Sequence, residues 1–229
     1  MLFYLNDMNP GLIVIIVAMV LGMLASGAVK SAYRRWSSVP NSRGMSGAQM
    51  ARAILDGYGL AQVGVEVTEG TLSDHYDPRS TTLRLSRDVY GGSSVAAIGI
   101  AAHEAGHAVQ HAMGYSPLKV RNALVPVANL GSQLLFPLLI GGFVFRMTNL
   151  IYIGAAIYAV ALLFHLFTLP VEFNASARAV SWLEKTHGFA PTEVGGVRSV
   201  LRAASLTYVA SALAALGQLV WLLMAGRRR

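Results

Sequence analysis

The chain contains no cysteine, so neither a disulfide framework nor a thiolate metal site can be built from it, and the redox compartment leaves no trace in its composition. Charge is also scarce. Asp, Glu, Lys and Arg make up 13% of the 229 residues, where a soluble globular domain carries about 25%. The 54% hydrophobic content points the same way, to a chain whose solvent is in part a bilayer. Its net charge of +7 is not gathered into a Lys/Arg tract with interleaved aromatics, which argues against nucleic acid as a partner. A GxxxxGK[ST] phosphate loop is missing as well, so no use of ATP by this polypeptide is expected. No internal repeat or low-complexity tract is present.

What the chain does have is long apolar runs. Four can cross a hydrocarbon layer of roughly 30 Å as helices: Leu12 to Val29, Ala123 to Phe145, Asn149 to Leu169 and Ala203 to Gly226. The first is uniformly apolar, unlike an amphipathic surface helix. Residues 1 to 11 carry only Asp7 as a charge, so the run lacks the basic lead of a cleaved signal and reads as a permanent span. Only Arg146 to Thr148 separate the second and third runs, which predicts a tight helical hairpin whose far ends return to one membrane face.

The polar stretch between the first two spans has the texture of a small α+β domain. "SGAQMARAILDGYG" opens with Ser46 and Gln49 spaced as a capping box and closes on Gly57 and Gly59. "VGVEVTEG" and "STTLRLS" alternate apolar and polar residues at period two, around the turn-like "SDHYDPR", and predict two short strands. After "YGGSS" the pattern turns helical, with Ser94 as the cap and Gly114 and Pro117 at the close. The domains expected are an N-terminal span at 1–30, a catalytic domain at 31–122, a hairpin at 123–170, a segment at 171–202 and a final span with its basic tail at 203–229.

"HEAGH" falls in the middle of that helix. Positions i and i+4 differ by about 40° around a helix of 3.6 residues per turn, so His103 and His107 project from one face toward one ion. Glu104, beside that face, suits the base that deprotonates an attacking water. The competing reading is a pair of helical histidines satisfied by their neighbours. A membrane-spanning version is worse, since three histidines and a glutamate at bilayer depth would cost several kcal/mol unless paired. Gly106 has no side chain to crowd a substrate. A catalytic zinc site takes three protein ligands and leaves one position open. Glu172, in "LPVEFNASARA", is the best third candidate, because the hairpin returns it to the face of His103. Glu184, Glu193 and His187 stand in the same segment as alternatives, and a helix-cap carboxylate is the bland reading of Glu172. His111 has rotated about 80° from His103 and belongs beside the site or at the surface.

The segments "DHYDPRSTTLRLS", "AAHEAGHAVQH" and "LPVEFNASARA", in this order and between these spans, resemble the YugP-type membrane zinc metallopeptidases, over essentially the whole chain. A more distant similarity is to HtpX-type membrane proteases. "HEAGHA" also looks like the site of FtsH-type proteases, which are ATP-driven, and site-two-type intramembrane proteases are related in chemistry. The resemblance implies one zinc ion per chain on His103, His107 and Glu172, Glu104 as general base, and endopeptidase activity on protein or peptide substrates, membrane proteins among them, near the bilayer surface. Glutamate zincins commonly carry an aspartate a few residues past the third ligand to orient a ligand histidine. This chain has Asn174 and Ser176 there, neutral acceptors that fix a tautomer while raising ligand basicity less.

Substrate handling falls on the strand before the helix, Thr81, Thr82, Leu83, Arg84 and Leu85. As an exposed edge it would pair with an extended peptide through backbone hydrogen bonds, whereas an ordinary core strand would not. His75 reads as an oxyanion donor or, more simply, as a turn histidine held by Asp74 or Asp77, and Tyr76 is an alternative donor. Arg178 can brace the site or balance nearby carboxylates, and His165 suits bundle packing. Fourteen of the 18 basic residues lie on the side of the polar domain, which predicts a multi-pass cell-membrane protein with a cytoplasmic catalytic face, although the arginines ending the chain pull the other way. The expected fold is thus a multi-pass α-helical membrane protein, about four spans, carrying a small zincin-like metalloprotease domain. The rival function is an inactive, metal-stapled membrane scaffold, against which an intact Glu104 speaks. A transporter would need polar groups in discontinuous spans, and only His165 fits that description.

Overall fold

The fold is that of a computed structural model, which describes residues 10–227; Asp7 with its neighbours and the last two arginines lie outside the described residues. In chain order come α1 (Pro10–Ser37), α2 (Gly47–Gly57), β1 (Gly64–Thr68), β2 (His75–Asp77), β3 (Thr82–Ser86), α3 (Arg87–Tyr90), α4 (Val95–Ala112), α5 (Ser116–Val144), α6 (Thr148–Lys185) and α7 (Pro191–Arg227). They sort into two compact units. Among the described residues, one gathers those up to Ala25, Lys119–Leu169 and those from Leu206 on, and the other Ser26–Leu118 and Pro170–Ser205.

The first unit is helical and apolar outside as well as inside. The helices α1, α6 and α7 are long and apolar enough to cross a membrane, and α5 makes a fourth candidate if its two pieces, Ser116–Gly131 and Gln133–Gly142, count as one span bent by 43°. Pro137 accounts for the bend, because its ring collides with the carbonyl four residues earlier, at the second piece's first residue. Leu24 is 66% exposed and Phe136 71%, surfaces that only lipid would cover without penalty. Small residues let backbones approach closely. A Cβ on Gly217 would sit 2.9 Å from the Ile15 nitrogen, fixing α1 against α7, and one on Gly142 would sit 2.9 Å from Ile151, fixing the α5–α6 hairpin.

The second unit is built around a three-stranded sheet in the order β1-β3-β2. The capping box forms as the sequence predicts: Ser46 accepts from the Gln49 backbone nitrogen, and the Gln49 side chain accepts from that of Ser46. Met50, Ile54 and Leu55 of α2 then meet Leu83 and Leu85 of β3 and Ile98 and Val109 of α4 in one core, closed by Leu183 of α6 and Val197 of α7.

Two expectations are corrected here. "SDHYDPR" is not merely a turn, because His75–Asp77 forms a third strand that pairs antiparallel with β3. That pairing, with the parallel ladder to β1 on the other side, makes β3 the central strand and not an exposed edge. Thr82, Leu83 and Leu85 are buried, and Thr81 lies outside the strand in the left-handed region at φ 52°. Arg84 links the sheet crosswise, 3.5 Å from Glu66 of β1 and 3.2 Å from Asp77 of β2. With both ladder edges used, this strand cannot add a substrate peptide.

Candidate metal centre

Helix α4 owes its position to being apolar nearly all round, the composition of a helix buried on every side. All of its residues are buried except His103, His107, His111 and Ala112. The partly open positions are therefore a histidine stripe at i, i+4 and i+8 in an otherwise enclosed rod. Ser94 caps the start by accepting from the Ala97 backbone nitrogen. Gly106 sets the spacing to α6: a Cβ there would lie 3.0 Å from the Ala175 carbonyl oxygen. Its small size thus serves helix packing, which corrects the expectation that it makes room for substrate.

That close approach brings Glu172 of α6 to the stripe. Its Oε2 lies 3.3 Å from His103 Nε2 and 3.7 Å from His107 Nε2. The two imidazoles stand at 83° with ring centroids 4.8 Å apart. One donor atom from each of the three residues falls within 4.8 Å of the others, the one such His/acid group found among the described residues. Ligands about 2.0–2.1 Å from a tetrahedral zinc ion are separated by about 3.3 Å. The donor chemistry (two imidazoles and a carboxylate) and the 3.3 and 3.7 Å separations between Glu172 and the histidines fit zinc.

Each ligand histidine is steered from its far nitrogen. His103 Nδ1 lies 3.1 Å from the Ser176 hydroxyl, and His107 Nδ1 donates to Gln110 Oε1 at 3.0 Å. Gln110 Oε1 can only accept, which favours a proton on His107 Nδ1 and leaves its Nε2 free to ligate, and the Ser176 hydroxyl can accept in the same way from His103. The Gln110 side-chain nitrogen donates to the Val171 carbonyl at 2.8 Å and to Asn174 Oδ1 at 3.0 Å, and Asn174 Oδ1 also receives the Arg178 Nε at 2.8 Å. Ser176 thus touches the cluster directly, Asn174 through Gln110, and Arg178 through Asn174 and Gln110 in turn. Gln110 is the residue that the sequence reading missed. Three residues past His107, it stands on the same side of the helix, but a neutral amide gives no ligand signal.

Electrostatics follow the geometry. Burial pushes the Glu172 carboxyl up, but hydrogen bonds from His103 and His107 outweigh it and hold the group well below the usual carboxylate range. Burial works against charge on His107 also, and contact with Glu172 and nearby Glu104 raises it nonetheless. Glu104, 9% exposed, is raised above the ordinary value by burial, against the pull of the two histidines. Its carboxyl makes no side-chain hydrogen bond among the described residues and is free to take a proton.

The alternatives to Glu172 have other partners. Glu193 accepts from the Ser42 and Ala190 backbone nitrogens, fastening a loop at the start of α7. Glu184 pairs with Arg198 at 2.6 Å, and His187 is exposed. His75 is exposed with Nδ1 2.8 Å from the Ser73 carbonyl, so neither Asp74 nor Asp77 holds it; Asp74 accepts from Ser86, and Asp77 from Arg79, Ser80 and Arg84. The Tyr76 hydroxyl lies 2.9 Å from His111 Nδ1, which ties β2 to α4 one turn beyond His107. His165 packs edge-on against Phe164.

Comparison with known proteins points to a zinc-peptidase family. Residues 11–227 match a family model described as "Putative neutral zinc metallopeptidase". The chain is 44% identical over 209 residues to a Bacillus subtilis (strain 168) protein named "Putative membrane protease YugP", an alignment covering 91% of this chain and 93% of that one. No solved structure gives a significant match.

Proposed function

Because the chain belongs to the family of neutral zinc metallopeptidases, we propose that it is a membrane-embedded endopeptidase that holds one zinc ion on His103, His107 and Glu172 and uses Glu104 as general base. The observation that carries this reading is the convergence of those three donors with a neighbouring carboxyl that has no hydrogen-bonding task. Zinc bound there supplies Lewis acidity, polarising the scissile carbonyl and the attacking water. Glu104 takes the proton that water loses and delivers it to the amine nitrogen as the peptide bond breaks. Ser176 and Gln110 keep the imidazole tautomers and ring orientations that ligation needs.

In this reading an extended substrate pairs with β2, whose outer edge is unpaired among the described strands and which Tyr76 fastens to α4. Tyr76 is the side chain we assign to the developing oxyanion, in preference to His75, which faces solvent. In this reading the second unit is the zincin-like protease domain, and the distribution of basic residues along the sequence favours a cytoplasmic catalytic face. A metal-stapled scaffold would leave Glu104 without a role.

The full chain, purified in detergent with an unfolded labelled protein as substrate, tests this. Wild type should hydrolyse it and lose activity to a zinc chelator. Glu104→Gln should keep its zinc while losing at least about a hundredfold in rate. Hydrolysis by Glu104→Gln at the wild-type rate would contradict the assignment.

A further inference from the structure

The second unit holds a groove between the last turns of α6 and the first turns of α7, with a cavity of ≈ 420 Å³. Its walls include Phe173, Val180 and Leu201, an apolar floor for a surface groove. Two arginines line it. Arg198 is committed to Glu184, at 2.6 Å. Arg202 is exposed and makes no ion pair or hydrogen bond among the described residues.

The place of the groove along both helices is informative. On α7, Arg202 is the last charged residue before Arg227, and on α6 no Asp, Glu, Lys or Arg occurs between Arg146 and Glu172. The groove therefore begins where two long uncharged stretches give way to polar sequence, the depth at which lipid headgroups meet a protein. A partner-free guanidinium over an apolar floor at that depth matches a ligand with an anionic head and a hydrocarbon tail. A soluble acidic peptide would satisfy Arg202 but leave the apolar wall bare.

We infer that this groove binds an anionic phospholipid, its phosphate on Arg202 and an acyl chain along Phe173 and Leu201. The assignment does not depend on the zinc chemistry. Ser176 belongs to both places, however, lining the groove and holding His103 Nδ1 at 3.1 Å, which puts the lipid one hydrogen bond from the metal cluster.

The test is native mass spectrometry of the full chain in detergent, titrated separately with phosphatidylglycerol and phosphatidylcholine of the same acyl length. The first lipid retained by the wild type should be phosphatidylglycerol, favoured about fivefold, the contribution of one arginine at an anionic headgroup. Arg202→Gln should abolish the preference, and Ala177→Trp, which fills the groove from an exposed wall position, should lower retention of both lipids. Arg79→Gln, an exposed arginine outside the groove, should leave the preference intact. Preference and retention unchanged in both groove variants would overturn the proposal. So would displacement of the lipid by inorganic phosphate, which would make the groove a simple anion site.

Discussion

Gln110 is fully buried, and its side chain has both of its polar atoms engaged, with the oxygen accepting a hydrogen bond from His107 and the nitrogen donating to Val171 and Asn174. A residue so placed holds the ligand's tautomer and at the same time binds α4 to α6. Replacing it with leucine keeps the volume but strands a buried imidazole N–H and frees the His107 ring to turn. Zinc affinity of Gln110→Leu should fall about 10- to 100-fold, read by competition with a chelating dye, while Gln110→Glu, which restores an acceptor, should recover most of it. Ser176→Ala removes the equivalent contact at His103 and should show a weakening of the same kind. Equal affinity in wild type and Gln110→Leu would mean that packing alone orients His107.

At the scale of the element, the closest approach is that of α4 and α6 at Gly106. Gly106→Val would bring its Cβ to 3.0 Å from the Ala175 carbonyl oxygen and should lower stability by about 1–3 kcal/mol. Because Ala175 lies between Glu172 and Ser176 on the same helix, the variant should also lose bound zinc, measured by metal analysis beside thermal unfolding. Gly195→Ala, where a Cβ would meet nothing within 4 Å, should be neutral or stabilising by up to about 1 kcal/mol. Helices were the legible elements, since their signals are local: the Ser46–Gln49 box, the Ser94 cap and the i, i+4 spacing of His103 and His107 each act within a turn or two. Strand order is set by partners far along the chain, so the alternation of Thr82 to Ser86 revealed a strand without revealing that it is central. For β2, Asp74 and Asp77 read as turn residues, yet their side chains bind Ser86 and Arg84 and stitch the segment to the sheet. Gln110 escaped for the same reason, its partners being 61 and 64 residues away.

For the whole molecule, the sequence orders the ligands around a hairpin: His103 before it and Glu172 after it. Two crossings return the chain to one face, whereas a single crossing would separate the ligands by a hydrocarbon layer of roughly 30 Å. Cysteines introduced one at a time at Ser42, Thr148 and Lys185 of this cysteine-free chain allow accessibility labelling in intact cells and inverted vesicles. Ser42 and Lys185 should label from one side and Thr148 from the other, and labelling of Ser42 and Lys185 from opposite sides would rule out Glu172 as a ligand. Closure of a zinc site by α4 and α6, helices far apart in sequence, can be read from zinc stoichiometry and zinc-edge X-ray absorption on the purified full chain and on Glu172→Ala. The wild-type chain should hold one zinc with two imidazoles and oxygen donors around it, and Glu172→Ala should lose the metal. Stoichiometric zinc with an unchanged shell in Glu172→Ala would contradict that closure.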